Sequence, residues 1–234
     1  MAVVTEATKP IRRTKELPGP RSAAALARQQ RDESNARTYP RHLQIAVGKA
    51  SGSWVTDLDG NVYLDFLSGA GVLSLGHNHP EVVEAVRVQL ERVVHTLDLP
   101  TDTKEEFTDS VLGLLPSSMR GNYKVHFCGP TGADAVEAAL KLCKTHTGRA
   151  NIVAFQGAYH GSTAGAMSVT GAVAPKERVQ GSVPGVHFFP YGYCHRCPLG
   201  LNPGGCDTNC ATYLDRALAD PMGGLSARLR CCSK

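Results

Sequence analysis

Apolar and polar side chains alternate most clearly over residues 52–69, where GSWVTDLDGNVYLDFLSG forms two alternating runs about Asp59-Gly60-Asn61. Period-two patterning on both sides of an Asp-Gly-Asn corner predicts a β-hairpin. The pattern then changes period. EVVEAVRVQLERVV, residues 81–94, repeats its apolar positions at helical spacing, and Pro80 suits the first turn of that helix. TKEEFTDSVLGLLP, residues 103–116, predicts a second amphipathic helix. YKVHF, residues 123–127, has the length and composition of a short buried strand. From Ala133 to His146 the side chains of Val136, Leu140 and Cys143 share one helical face, and Glu137 with Lys141 is expected to form an i,i+4 pair on the outer face. NIVAF (151–155), a Gly-rich connection QGAYHGSTAGA (156–166) and GVHFFP (185–190) complete an alternation of strands and helices. Such alternation predicts an α/β sheet built from crossover units.

Residues 1–38 lack a sustained apolar period, apart from a possible short helix near SAAALARQQRDESNAR. Lys9, Arg12, Arg13, Lys15, Arg21, Arg28, Arg31 and Arg37 gather there, within a chain of 234 residues whose net charge is +4. No aromatics are interleaved with these cations, so a basic, partly disordered arm is expected rather than a nucleic-acid-binding segment. There is no apolar run of membrane-spanning length and no secretory h-region at the start, which gives the expectation of a cytoplasmic protein without membrane association.

Two stretches carry candidate chemistry. FCGPTGADAVEAALK, residues 127–141, passes from a predicted strand through a tight turn into a helix. Gly129 and Gly132 permit close backbone approach, and the first N–H groups of the helix lack intrahelical acceptors, so the turn is an anion site or a plain strand-turn-helix corner. The loop is neither G-x-x-x-x-G-K-[ST] nor G-x-G-x-x-G, which removes the common nucleotide-binding loops. YCHRCPLGLNPGGCDTNC places Cys194, Cys197, Cys206 and Cys210 as C-x2-C and C-x3-C. Free thiols in a surface loop are the first expectation for it, with a four-thiolate zinc site as the alternative and His195 as a competing ligand. His77 and His79 have the residue type of a metal pair, but beside Pro80 they are expected to serve a turn.

Taken together, G-x-W-V-x-D-x-D-G-x-x-Y-L-D-F, GHNHP, GPTGADAVEAALKL and AFQGAYHG resemble the class III pyridoxal-phosphate-dependent aminotransferases, in that family's order and spacing over residues 39 to about 225. The resemblance implies the type I fold of pyridoxal-phosphate enzymes, here incomplete. Residues 39–100 would be an N-terminal segment of the small domain, residues 101–225 the first half of the large mixed-sheet domain, and 226–234 an atypical tail. It further implies that Thr131, Gly132 and Ala133 hold the cofactor phosphate, that Tyr159 stacks on the pyridine ring with His160 beside it, and that Tyr39, Ala70 and Gly71 border the substrate entrance.

The wording of the phosphate loop and SNARTYPR upstream most resemble the diaminobutyrate:2-oxoglutarate aminotransferases, which implies a diamino acid donor, a 2-oxo acid acceptor and a homodimer. Ornithine-type relatives carry an arginine two residues after the histidine of AYHG, where this chain has Ser162. The other readings kept open are an ornithine, acetylornithine or GABA type of aminotransferase, and a non-catalytic binding module. In the family the Schiff-base lysine and the acidic partner of the ring nitrogen fall beyond the matched stretch, and Lys141, Lys144, Lys176 and Lys234 match neither. The expectation is therefore an N-terminal half that does not turn over.

Overall fold

The computed structural model describes residues 16–35, 41–174, 176–177, 179, 182–223 and 225, and the chain divides into two compact units, Met1–Gly121 and Asn122–Lys234.

The first unit is organised by the hairpin. Strands β1 (Val47–Ser51), β2 (Trp54–Asp57) and β3 (Val62–Leu64) form an antiparallel sheet in the order β1-β2-β3, with Trp54 opposite Leu64 and Val55 opposite Tyr63. Its corner is tied by one carboxylate. Asp57, 4% exposed, accepts from the backbone N–H of Asp59 (2.9 Å) and Asn61 (2.8 Å) through Oδ1, and from Asn61 Nδ2 (2.7 Å) and the Tyr63 hydroxyl (2.9 Å) through Oδ2. Burial alone would push this carboxyl up, but the donors from Asn61, Tyr63 and Asp59 outweigh it and hold the group below its ordinary range.

Helix α1 (Pro20–Asp32) occupies the stretch where the basic leader showed a possible helix, and it is fastened at both ends by residues distant in sequence. Its N-cap, Gly19, has no capping side chain, so Asp59 at the hairpin corner accepts from the N–H groups of Arg21 (2.8 Å) and Ser22 (2.7 Å) in its place. At the other end Arg41, whose side chain is 19% exposed, donates to Gln29 O, Ser34 O and Glu33 Oε2. A carboxylate at the helix start and a guanidinium at its end both complement the macrodipole.

After β3 the chain makes a 3-10 turn (Ser68–Gly71) and returns to the sheet. There Gly52 and His77 exchange backbone hydrogen bonds of 2.8 Å, and His77 Nε2 meets Asp65 Oδ2 at 2.7 Å. His79 is the N-cap of α2 (Pro80–Arg92), with Pro80 in its first turn. His77 thus ties the turn to Asp65, whereas the His79 side chain makes no cap hydrogen bond and its Nδ1 is buried without a partner among the described residues. α3 (Asp102–Gly113) follows, its N-cap Thr101 accepting from the N–H of Lys104 at 3.2 Å.

In the second unit β4 (Ile152–Phe155) and β5 (Val186–Phe189) pair in parallel, joined through the short α5 (Ala164–Val169), which is the crossover the alternation predicted. α4 (Gly132–Thr147) precedes them and α6 (Asn209–Ala219) follows. Residues 123–127 are not a strand. An extended segment needs a neighbour for its ladder, and the sheet of this unit has two strands among the described residues, already paired with each other.

Among the described residues the buried apolar core is small: Val55 in the first unit, and Ala154, Ala166, Val169 and Phe189 in the second. Helices α2, α3 and α4 bury no residue, and Val82, Val83, Val86, Leu90 and Phe107 are exposed. No helix among the described residues is long and apolar enough to cross a membrane.

Three outcomes follow from these features. Asp57→Ala leaves buried donors unsatisfied and should destabilise the hairpin by about 1–3 kcal/mol, read from urea unfolding followed by fluorescence of Trp54, the only tryptophan. Because the folded carboxyl titrates below its ordinary value, its contribution is complete above the unfolded carboxylate range and falls away as pH drops through the folded value. Asp57→Asn should therefore flatten the acid limb of stability, and superimposable limbs would contradict this account. The uncovered helix faces should make the purified chain bind an apolar dye and scatter as species larger than a monomer. A dye-silent, monodisperse monomer would show those faces to be covered.

Candidate functional site

The stretch from Thr131 to Glu137 builds the start of α4. Thr131 is its N-cap in an extended conformation, and its Oγ1 accepts from the N–H of Asp134 (3.1 Å) while its hydroxyl donates to Asp134 Oδ2 (2.9 Å). This Thr-x-x-Asp exchange is a reciprocal cap of the kind that begins helices. It leaves the N–H groups of Gly132 and Ala133 without a partner among the described residues. A Cβ built on Gly132 would meet nothing within 4 Å, so open space lies beside the first turn. Unpaired amides at the positive end of a 16-residue helix, facing open space, can receive an anion. Thr131 differs from the expectation: its hydroxyl proton is already directed at Asp134, and it must turn away before it could donate to a ligand.

The AYHG loop lies against the same turn. A Cβ on Gly161 would fall 2.5 Å from Cβ of Ala133 and 3.1 Å from its Cα, at a φ of +130°, so a residue without a side chain is needed for the two segments to touch. Tyr159 precedes it, 52% exposed, with its hydroxyl 3.1 Å from Ser162 Oγ. The backbone N–H of His160 donates to Oγ1 of the fully buried Thr170 at 3.0 Å, and that hydroxyl donates to Ala166 O at 2.9 Å. Thr131, Gly132, Ala133, Tyr159 and His160 are thus gathered on two adjoining segments of one unit.

Glu137 does not pair with Lys141. Its carboxylate instead turns to the next element and accepts, through Oε1, from Thr163 Oγ1 (2.6 Å) and from the N–H groups of Gly165 (2.7 Å) and Ala166 (3.1 Å). Three fixed donors outcompete a mobile ammonium on a solvated helix face. The hydrogen bond from Thr163 holds the carboxyl below its ordinary range, burial opposes this, and the two amides add to the lowering. Sequence reasoning missed this residue's partners and those of Thr170; Thr163 stands at the N-cap of α5, but its side chain makes no cap hydrogen bond and its hydroxyl goes to Glu137 instead.

Tyr39 lies outside the described residues. Ala70 and Gly71 sit in the 3-10 turn of the first unit, exposed and at positive φ (58° and 93°), and belong to a different unit from the α4 start. Cys194, Cys197, Cys206 and Cys210 form no disulfide, and among the described residues no group of three or more His, Cys, Asp or Glu is placed to hold a metal ion.

The chain is 51% identical over 207 residues to the diaminobutyrate–2-oxoglutarate aminotransferase of Rhizobium meliloti, covering 88% of this chain and 44% of that protein. It is 46% identical over 202 residues to the enzyme of the same name from Haemophilus influenzae, covering 86% and 44%. The chain therefore spans less than half the length of these curated relatives.

Among solved structures it is similar to an (S)-enantioselective omega-transaminase from Thermomicrobium roseum, with a TM-score of 0.73, 26% identity, and coverage of 84% of this chain and 46% of that one. It is also similar to the taurine:2-oxoglutarate aminotransferase of Bifidobacterium kashiwanohense, whose structure holds pyridoxal phosphate and glutamate, with a TM-score of 0.68, 25% identity, and coverage of 83% and 43%. The architecture is accordingly an α/β fold corresponding to part of a pyridoxal-phosphate-dependent transaminase. The model of the family described as aminotransferase class-III matches residues 35–207, and the chain belongs to that family.

Proposed function

We propose that this chain supplies the phosphate-binding and ring-stacking part of a pyridoxal-phosphate-dependent aminotransferase that moves the terminal amino group of L-2,4-diaminobutyrate to or from 2-oxoglutarate. The observation that carries the proposal is the pair of unpartnered amides at Gly132 and Ala133, facing open space beside the loop that bears Tyr159. The residues fit the cofactor chemically: a doubly charged phosphate suits the positive end of α4, and an exposed phenol ring offers a flat apolar face to a pyridine. When bound, the cofactor supplies an electron sink that eases removal of a proton from the carbon bearing the amine.

The chain's own residues supply positioning. Gly132 and Ala133 would anchor the phosphate through N–H groups, Tyr159 would set the tilt of the ring, and His160 would lie beside it with its backbone held by Thr170. Ser162, paired with the Tyr159 hydroxyl, presents no cation, which favours a donor other than one clamped by an arginine at that place. The choice of diaminobutyrate rests on the relatives of that name and on this position. Tyr39, Ala70 and Gly71 remain proposed entrance residues, and a homodimer is proposed from the uncovered apolar helix faces.

Transfer also calls for a lysine that carries the cofactor. Lys176 is committed elsewhere, donating to Thr170 O at 2.6 Å and lying 4.5 Å from the centre of the Phe188 ring. Lys141 projects from the exposed side of α4 well beyond its first turn. We propose that this chain binds the cofactor without turning over.

Gly132→Val should fold, since a Cβ there meets no protein atom, yet fill the space the phosphate needs. The expected cost is one or two charge-assisted hydrogen bonds, about 1.5–3 kcal/mol each, in affinity for pyridoxal phosphate by equilibrium dialysis. Thr131→Ala should lose less, because its hydroxyl is occupied by Asp134. Binding by Gly132→Val as tight as by the parent would reduce this loop to a structural corner. Borohydride treatment of the chain with pyridoxal phosphate, followed by mass spectrometry, should give only weak, scattered lysine labelling. Stoichiometric labelling at one lysine would overturn the inactivity proposed above.

A further inference from the structure

We propose that Glu137 is a positioning residue for the cofactor ring: it fixes the loop carrying Tyr159 relative to the phosphate-binding end of α4. The inference rests on the cofactor reading above and adds a residue that touches neither phosphate nor ring.

Glu137 lies in the second turn of α4, on the helix whose start offers the amides of Gly132 and Ala133. Its Oε1 gathers the Thr163 hydroxyl and the N–H groups of Gly165 and Ala166. Among the described residues these are the only hydrogen bonds between α4 and residues 156–171. Gly165 carries no side chain for a steric reason, because a Cβ there would overlap the Glu137 carboxylate.

From α5 the constraint passes to Tyr159 by short links. The Thr170 hydroxyl bonds both Ala166 O and the N–H of His160, the residue after Tyr159. The N–H of Gly171 donates to Ala158 O, the residue before it, at 2.7 Å. Tyr159 is thereby bracketed from both sides by a segment whose one polar tie to α4 is the Glu137 carboxylate. The phosphate anchor and the stacking ring are carried on separate elements, and the cofactor's own rigid length demands a set distance between them. A tie of this kind keeps that distance before the cofactor arrives, so that binding does not have to order the loop.

Two probes separate this role from simple support of the fold. Inorganic phosphate reports the start of α4 alone, whereas pyridoxal 5′-phosphate reports that anchor plus the ring. Both affinities are measured on the full chain for the parent, Glu137→Ala and Glu137→Gln, with amide hydrogen exchange at Gly165 and Ala166. Glu137→Ala should keep phosphate affinity within about two-fold and lose about three- to ten-fold for pyridoxal phosphate, the range that a stacked aromatic contact is worth. Exchange at Gly165 and Ala166 should quicken. Glu137→Gln retains an acceptor oxygen and should recover most of the loss.

A parallel fall in both affinities, an unchanged pyridoxal phosphate affinity, or a glutamine variant no better than alanine would each overturn the proposal. If circular dichroism shows Glu137→Ala unfolded, Thr163→Val removes one donor and carries the same comparison, with an expected selective loss of about two- to three-fold. A parent chain that binds neither probe overturns the cofactor reading and this role with it. A parent that binds both, with no selectivity among the variants, overturns this role alone.

Discussion

One carboxylate joins the two segments on which the site depends. Glu137 reaches from α4 to the start of α5 and replaces three separate solvent contacts with three fixed donors, the Thr163 hydroxyl and the Gly165 and Ala166 amides. Hydrogen bonds to a charged acceptor contribute about 1.5–3 kcal/mol each, roughly twice a neutral pair, so a single side chain can hold a six-residue helix that has little propensity of its own. The Gly-rich character of QGAYHGSTAGA follows in part from this. Gly165 makes room for the carboxylate and Gly161 for the Cβ of Ala133, so two of its glycines sit where α4 presses on the loop, while Gly157 holds a positive φ.

The first unit uses the same device. Asp57 closes the hairpin corner, Asp59 supplies the cap that Gly19 cannot, and Asp65 receives His77 together with the N–H groups of Leu67 and Ser68. Each carboxylate is a local hub for backbone donors that a tight turn leaves unpaired, which is where a buried or half-buried anion lowers rather than raises the free energy. The apolar contribution is modest by comparison, with five buried hydrophobic residues among those described and exposed apolar side chains along α2 and α3. Geometry in each unit is therefore held by polar ties at turns, while α2, α3 and α4 keep apolar area to offer.

Much of this architecture was legible along the chain. The hairpin about Asp59-Gly60-Asn61, the helix after Pro80, the helix from residue 132 and the parallel pair 152–155 and 186–189 all carry strong local signals, because period, turn residues and caps agree. Residues 123–127 carry an equally good strand signal and form none, since alternation reports a preference for an extended, half-buried chain and says nothing of a partner strand. The Glu137–Lys141 spacing satisfied an i,i+4 rule, yet that rule compares a pair with solvent and cannot see three donors arriving from residues 163–166.

The sequence by itself determined the loop that ends in Thr131-Gly132-Ala133, the helix it opens, the Tyr159-His160 segment and the family to which these belong, because each is a short-range pattern whose physics is complete within a few residues. Only the tertiary structure decided that the two segments meet at Ala133 and Gly161, that Glu137 spans to α5 and that Asp59 caps α1 from 38 residues away. These are contacts between groups that share no period and no motif. Their partners are selected by which donors the folded backbone leaves unsatisfied, and that quantity exists only once the elements have packed.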